Sequence, residues 1–506
     1  MRAPTIDAGS TPPGTTRSGA LTLVVLCAGM LMIVLDQTIV NVALPSIRRD
    51  LGFTQSGLAW VVNAYLIAFG GLLLLAGRLG DLIGRRRVLV AGLVLFTLAS
   101  LLCGLSQSRG MLIGARFAQG AAGALTSSVI LGIIVMTFAD ARERARAIGV
   151  YSFVASAGAS IGLLAGGVLT QAINWHWIFF VNIPIGIVAA MLAVRLLDDD
   201  PGIGLREGAD VVGAVLVTAA LMIGVYTIVK AAEHGWVSAH TLGTGAVALA
   251  LLSGFVAREA TADRPLLPLR VFRSRTVSGA NVIQALMVGA MFGVFFLGSL
   301  YMQQVLGYGA VQIGLAFLPV ALAIGILSLG FSERLNTRFG ARRVLVPGLA
   351  LIAAGLALIT RVPVQADYVR DFLPAMVLLG VGAGLSFPAL MSLSMSAATP
   401  SDSGLASGLA NTSLQVGGAL GLAVLATLAA GRTGRLAADG QSAAAALTGG
   451  YHLAVALGTA FVAVALALAA TVLRPSQAAV SDENAVVGEA PAIEELAVEK
   501  LAVEQL

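Results

Sequence analysis

The sequence predicts an all-α polytopic membrane protein with fourteen transmembrane helices, and three observations carry that reading. Of 506 residues, 58% are hydrophobic and only 11% are charged, against roughly 25% charged in an ordinary soluble domain. The apolar residues fall in long runs separated by short polar joints, whereas an outer-membrane barrel alternates polarity over strands of about ten residues. One basic joint also recurs almost unchanged 256 residues further along the chain. A water-soluble globular protein is excluded, and one membrane domain is expected despite the length.

A span needs about 20 mostly apolar residues. Fourteen runs qualify, near residues 20–46, 54–77, 88–106, 110–138, 147–172, 176–196, 211–230, 240–257, 276–305, 311–331, 343–361, 371–397, 404–429 and 450–473. The polar start, Met1 to Ser18, precedes a run too long for a signal-peptide core, so the first span is expected to be retained. The Ala- and Glu-rich end from Gln477 is too polar to span.

Lysine and arginine orient the bundle. With both termini cytoplasmic, 22 of the 31 lie in inside segments and 8 outside, and Arg116 lies within a span, as cytoplasmic retention of basic loops requires. The net charge of +5 is therefore topogenic, and no nucleic-acid partner is expected. Cys27 and Cys103 sit inside apolar runs as small hydrophobes. Arginine outnumbers lysine 29 to 2, a bias compatible with a high-GC bacterial source and hence the bacterial cytoplasmic membrane.

The recurring joint reads Gly84-Arg-Arg-Arg-Val-Leu-Val-Ala-Gly-Leu93 and Gly340-Ala-Arg-Arg-Val-Leu-Val-Pro-Gly-Leu349, identical at eight of ten positions. It equates the third span with the eleventh. The chain then divides into a cytoplasmic segment (1–19), a six-helix half (20–196), two inserted helices (211–257), a second six-helix half (276–473) and an acidic cytoplasmic tail (474–506). Two like-oriented halves around a central cavity are the plan of a rocker-type secondary transporter. The alternative is that basic joints resemble one another because each obeys the same topological constraint.

In the first span, Leu35-Asp36-Gln-Thr-Ile-Val-Asn41-Val-Ala-Leu-Pro45 sets a carboxylate on an apolar helix. Such a charge costs about 2.5–3.5 kcal/mol on insertion scales, so it is expected to face the interior. Desolvation disfavours its charged form, which suits binding and release of a proton. The alternative is a structural cap or packing contact.

Arg116, in Arg116-Phe-Ala-Gln119-Gly120, is the one arginine well inside an apolar run. It stays charged, so it does not carry the proton but serves as a fixed counter-charge for Asp36; snorkelling is the alternative. Gly77-Arg-Leu-Gly-Asp81-Leu-Ile-Gly84-Arg85-Arg86-Arg87 combines turn glycines, a carboxylate and an arginine cluster, the parts of a latch between halves. Plain topogenic charge is the alternative, and the second copy has Thr337 in place of Asp81. Gly158, Gly162 and Gly166, four residues apart and followed by Gly167, line one helix face and permit close helix approach.

Together these segments resemble the major facilitator superfamily, and more narrowly its fourteen-helix drug:proton antiporter family. The loop pattern Gly-x-Leu-x-Asp-x-x-Gly-Arg-Arg is matched throughout residues 77–86, and Arg-x-x-Gln-Gly by Arg116 to Gly120. The fifth-helix pattern Gly-x-x-x-Gly-Pro-x-x-Gly-Gly is matched by Gly158 to Gly167, except that Leu163 replaces the proline. The segment Trp175-His-Trp177-Ile-Phe-Phe-Val-Asn182-Ile-Pro184-Ile-Gly186 is also similar to the stretch that follows this pattern in the family. The resemblance implies the major facilitator fold, a proton-transfer role near Arg116, and a fifth-helix proline that shapes a bend, lacking here. Few carboxylates lie in the second half, so the resemblance implies neutral, monovalent or amphipathic cargo.

Trp60, Asn63, Tyr65, Gln284, Phe292, Phe296, Asn411 and Gln415 are polar or aromatic residues inside spans, candidates to line a cavity for bulky apolar ligands; packing is the alternative for each. The expected function is proton-coupled export of hydrophobic or amphipathic compounds by alternating access, in a monomer, with the proton as coupling ion and no cofactor or metal. The competing transport reading is a dedicated exporter of one native metabolite, lipid or siderophore. The non-transport alternatives, a membrane enzyme or a receptor, are not expected. His176, His234, His240 and His452 are scattered with no metal spacing or nucleophile–base constellation, which disfavours an enzyme, and the absence of a Gly-x-x-x-x-Gly-Lys-Ser/Thr sequence disfavours ATP as the driving force.

Overall fold

The computed structural model describes residues 15–473, apart from 139, 200, 203, 205–209, 263–264, 268 and 397–402. The proposed tail and most of the N-terminal segment lie outside the described residues. The first half contains α1 (Thr15–Leu51), α2 (Gln55–Leu58) leading into α3 (Trp60–Ile83), α4 (Arg85–Gly104), α5 (Arg109–Thr137), α6 (Ala141–Ala172), and α7 (Trp177–Phe180) leading into α8 (Asn182–Leu196). Two further helices follow, α9 (Val211–His234) and α10 (Ala239–Thr261). The second half contains α11 (Arg275–Gln304), α12 (Ala310–Gly330), the short α13 (Ser332–Phe339), α14 (Ala341–Ile359), α15 (Leu373–Met395), α16 (Ser403–Ala438) and α17 (Ala443–Thr471). Among the described residues, thirteen helical segments are long and apolar enough to cross a membrane. The 32-residue α6 is the remaining helix of spanning length, consistent with a fourteen-helix fold.

Helix starts follow local chemistry. The side chains of Ser108, Asp210, Ser238, Ser274 and Ser442 each accept the backbone N–H three residues on, satisfying a donor that the first turn leaves orphaned. Gly84 and Gly340, the equivalent glycines of the repeat, turn the chain at φ +99° and +83° between α3 and α4 and between α13 and α14. A residue with a Cβ is strained in that conformation.

The sequence repeat is also a repeat of contacts. In the first half α1 packs on α6, α8 and α5, while α4 packs on α5 and α8; in the second, α11 packs on α16, α17 and α15, while α14 packs on α15 and α17. Arginines 256 residues apart do the same work. Arg86 Nη2 donates to the Val194 carbonyl near the end of α8 at 2.5 Å, and Arg342 Nη2 donates to the Ala470 carbonyl near the end of α17 at 2.5 Å. Both satisfy carbonyls that a C-terminal turn leaves unpaired. Gly92 likewise meets Thr126 of α5, and its equivalent Gly348 meets Ser386 of α15.

The halves meet along two seams, α3 with α16 and α6 with α12. Small residues permit both: Gly70 receives Gln415, Gly408 receives Leu74, Gly167 lies against the backbone of Ala310, and Gly314 lies against the Leu163 carbonyl.

The inserted pair flanks the first seam, with α9 packed on α3 and α16. Much of the outer face of α10 is exposed and apolar, as at Leu242, Leu249 and Val256. At its arginine-rich end, Asp210 caps α9 and accepts Arg258 Nε at 3.1 Å, and the buried Glu259 accepts the Leu267 backbone N–H at 2.8 Å. Leu267 is thereby held in a cluster with Leu74 of α3, Val277 of α11 and Leu409 of α16, where the halves meet.

Candidate functional site

The site is built where five spans of the first half converge on two buried charges. Asp36 on α1 and Arg116 on α5 are 0% and 1% exposed, and Arg116 Nη1 donates to Asp36 Oδ2 at 2.5 Å. Removing two charges from water costs several kcal/mol per ion, and the pair recovers this only if its other hydrogen-bonding capacity is also met. The surroundings meet much of it. Arg116 Nε donates to the Val61 carbonyl of α3 at 2.9 Å, and Nη1 donates to Gln119 Oε1 at 2.7 Å. Asp36 Oδ1 accepts Gln119 Nε2 at 2.7 Å and Asn182 Nδ2 of α8 at 3.2 Å.

Gln119 ties this network to α4, donating to Ser100 Oγ at 2.8 Å and accepting from Cys103 Sγ at 3.5 Å. The guanidinium lies over the Tyr65 ring at 4.4 Å and near the Phe179 ring at 5.8 Å, aromatic faces that favour a cation. The arrangement is a fully enclosed carboxylate with three hydrogen-bond donors, one of them a permanent cation.

The glycines of α6 fit the other side of α1. A Cβ at Gly158 would meet Leu31 and Val34, one at Gly162 would meet Thr38 and the Leu35 carbonyl, and one at Gly166 would meet Ile39. This glycine face therefore seats the helix that carries Asp36, while Gly167 faces α12 in the other half. Leu163, in the place of the family's proline, is buried and lends its carbonyl to the contact with Gly314.

At the arginine-rich end, Gly77 packs loosely near Ser128. Gly84 forms the turn, and Asp81 pairs with Arg85 at 3.1 Å while both remain partly exposed. Arg87 pairs with Asp199 at 3.0 Å, and Arg86 lies 3.9 Å from the same carboxylate. Exposed pairs of this kind contribute about 0–1 kcal/mol each. None of these ion pairs reaches the second half, so in this arrangement the ion pairs brace the first half and its following linker.

The cavity candidates are dispersed. Tyr65 belongs to the charged site beneath Arg116, and Phe296 is fully buried in the second-half core. Asn411 is exposed and Trp60 is half-buried. Half-buried Phe292 meets Gly418, which also touches Leu66 of the first half. Asn63, Gln284 and Gln415 are buried, and each has a side-chain polar atom without a hydrogen-bond partner among the described residues.

Gln119, Ser100, Cys103 and Asn182 were absent from the candidate site residues read from sequence. Gln119 carried a usable signal, lying three residues from Arg116 and so on the same helix face. Asn182 lies in the Trp175–Gly186 segment that resembles the family, but nothing local pointed it at Asp36, because that approach depends on how α8 packs on α1.

The Major Facilitator Superfamily model matches residues 26–422 and 331–496. The chain is 38% identical over 476 residues to a puromycin resistance protein of Streptomyces alboniger, covering 93% of this chain and 94% of that one. It is 38% identical over 463 residues to a cephamycin export protein of Amycolatopsis lactamdurans, covering 91% and 93%. A bacterial homologue of the human lysosomal transporter Spinster, solved in an inward-facing conformation, superposes with a TM-score of 0.66 at 15% identity, over 90% of this chain and 97% of that one. Fold, repeat and family match agree: this chain is a multi-pass membrane protein of the Major Facilitator Superfamily.

Proposed function

We propose that the protein is a proton-coupled secondary transporter that exports hydrophobic or amphipathic antibiotic-like compounds by alternating access. The observation that carries this reading is the buried Asp36–Arg116 pair. Within a superfamily of transporters, a fully enclosed carboxylate beside a permanent cation is suited to exchange a proton, while Arg116 holds a fixed charge. Protonation of Asp36 would leave Arg116 without its counter-ion, so loading a proton favours rearrangement of α1 against α5. Asp81, Arg85 and Arg86 would brace the inner gate, and the glycines of α6 would let α1 shift. Both termini are taken as cytoplasmic in a bacterial inner membrane, from the arginine bias, and the monomer as the working unit.

Cargo is expected at the seams between halves. Among the described residues Asn63, Gln284 and Gln415 hold buried polar atoms without protein partners, which is costly unless they are satisfied; in another state they would meet cargo or water. Several relatives are named for single antibiotics, puromycin, cephamycin and tetracenomycin C, which favours a dedicated antibiotic exporter as the second reading.

Efflux from proteoliposomes under an imposed pH gradient tests the function, with puromycin and an amphipathic cationic dye as cargo. Gradient-dependent efflux of both supports a multidrug exporter, and efflux of puromycin alone supports the dedicated reading. Efflux that ignores the pH gradient contradicts proton coupling.

A further inference from the structure

The proposed coupling carboxylate is held by donors from two different helices, and they are not equivalent. Arg116 and Gln119 both come from α5, at 2.5 and 2.7 Å, and are locked to each other by a 2.7 Å hydrogen bond. Asn182 comes from the first turn of α8 and makes the longest bond, 3.2 Å. Gln119 is further fixed by Ser100 of α4 and Arg116 by the Val61 carbonyl of α3, so the α5 donors form a braced unit. Among the described residues the Asn182 amide has no such bracing: it is fully buried, and its Oδ1 has no hydrogen-bond partner there. A buried amide whose acceptor is left unsatisfied forfeits free energy, and among the described residues its side-chain hydrogen bond is the one to Asp36.

The other titratable or charged groups around Asp36 are Arg116 from α5, Tyr65 from α3 beneath it, and Cys103 from α4 beyond Gln119. No second carboxylate joins them among the described residues. At 3.2 Å the Asn182 bond is the one that a small displacement of α8 from α1 would break first. We infer that Asn182 is a positioning residue that makes the hold of Asp36 on its proton depend on how α8 sits against α1. With the helices together, the amide stabilises the ionised carboxylate; with them apart, that stabilisation is lost and Asp36 retains a proton more readily. Helix position and proton occupancy are thereby linked at one side chain, and this inference rests on Asp36 being the coupling group.

The test uses the full-length protein in lipid nanodiscs, with proton release on adding tetraphenylphosphonium read by a pH dye over a range of pH. Asn182→Leu removes the donor and the unsatisfied acceptor together, so the fold is expected to tolerate it. A hydrogen bond to a charged group is worth about 1–2 pH units, and the midpoint of release is expected to rise by about one unit. An unchanged midpoint in Asn182→Leu, with release abolished in Asp36→Asn, overturns the role of Asn182 and leaves the coupling reading standing. Release that persists in Asp36→Asn overturns the coupling reading itself. Should Asn182→Leu fail to fold, Asn182→Ala is read in the same way.

Discussion

At the scale of single residues, the structure makes Asp36 and Arg116 interdependent. Removing one partner of a buried pair leaves the other charge uncompensated, at a cost of about 3–5 kcal/mol, whereas replacing both with neutral groups is far less costly. Arg116→Ala is therefore predicted to lower the thermal unfolding temperature of the purified protein markedly. The double variant Asp36→Asn with Arg116→Gln is predicted to recover most of that loss, and equal destabilisation in both would contradict the pairing as described. The two charges were legible in the sequence because each stands alone in an apolar run, where chemistry leaves few alternatives. Their uncharged partners were less so: Gln119 and Asn182 lie in segments that resemble the family, but no local pattern shows that both reach Asp36. The place of Tyr65 under the guanidinium depends on the register between α3 and α5, which no local pattern encodes.

At the scale of helices, the glycines of α6 separate into two functions by the face they occupy. Gly162 and Gly166 seat α1, and Gly167 seats α12 across the seam between halves. Added bulk in a tight contact costs typically 1–3 kcal/mol. Gly166→Val is predicted to destabilise the first half and lower the unfolding temperature. Gly110→Val is predicted to leave the seams unperturbed, since nothing lies within 4 Å of its Cβ position; comparable loss in both would argue against a packing role for Gly166. The spacing of these glycines was visible in the sequence, but which helix each one meets was not.

The inserted pair was silent at the sequence level, and its anchoring at the arginine-rich end emerges only from packing. Leu267, held by Glu259, fills the space between Leu74, Val277 and Leu409. Leu267→Ala is predicted to loosen this end of the seam. Spin labels at Arg87 and Arg343 would then report a distance distribution shifted to longer values; an unchanged distribution would show that the cluster does not restrain the halves.

At the scale of the whole molecule, the fold was the most legible feature, because a bilayer demands long apolar helices and the basic joints report their direction. The repeat at an offset of 256 residues predicted equivalent halves, and the matching contact patterns and the paired roles of Arg86 and Arg342 explain why the motif recurs. What the sequence lacked was the relation between halves, set by backbone approach at Gly70, Gly167 and Gly314 rather than by any charged motif. The ion pairs of Asp81, Arg85 and Arg86, expected to latch the halves, stay within the first half and its linker in this arrangement.

The central claim is that Asp36 couples a proton to cargo movement, and paired transport assays on Asp36→Asn in proteoliposomes test it most directly. If Asp36 is the coupling group, the variant loses efflux driven by a pH gradient but retains counterflow exchange of the same cargo, which needs no net proton movement. Uphill, gradient-driven efflux that continued in Asp36→Asn at the natural rate would contradict the claim and leave the buried pair a structural one.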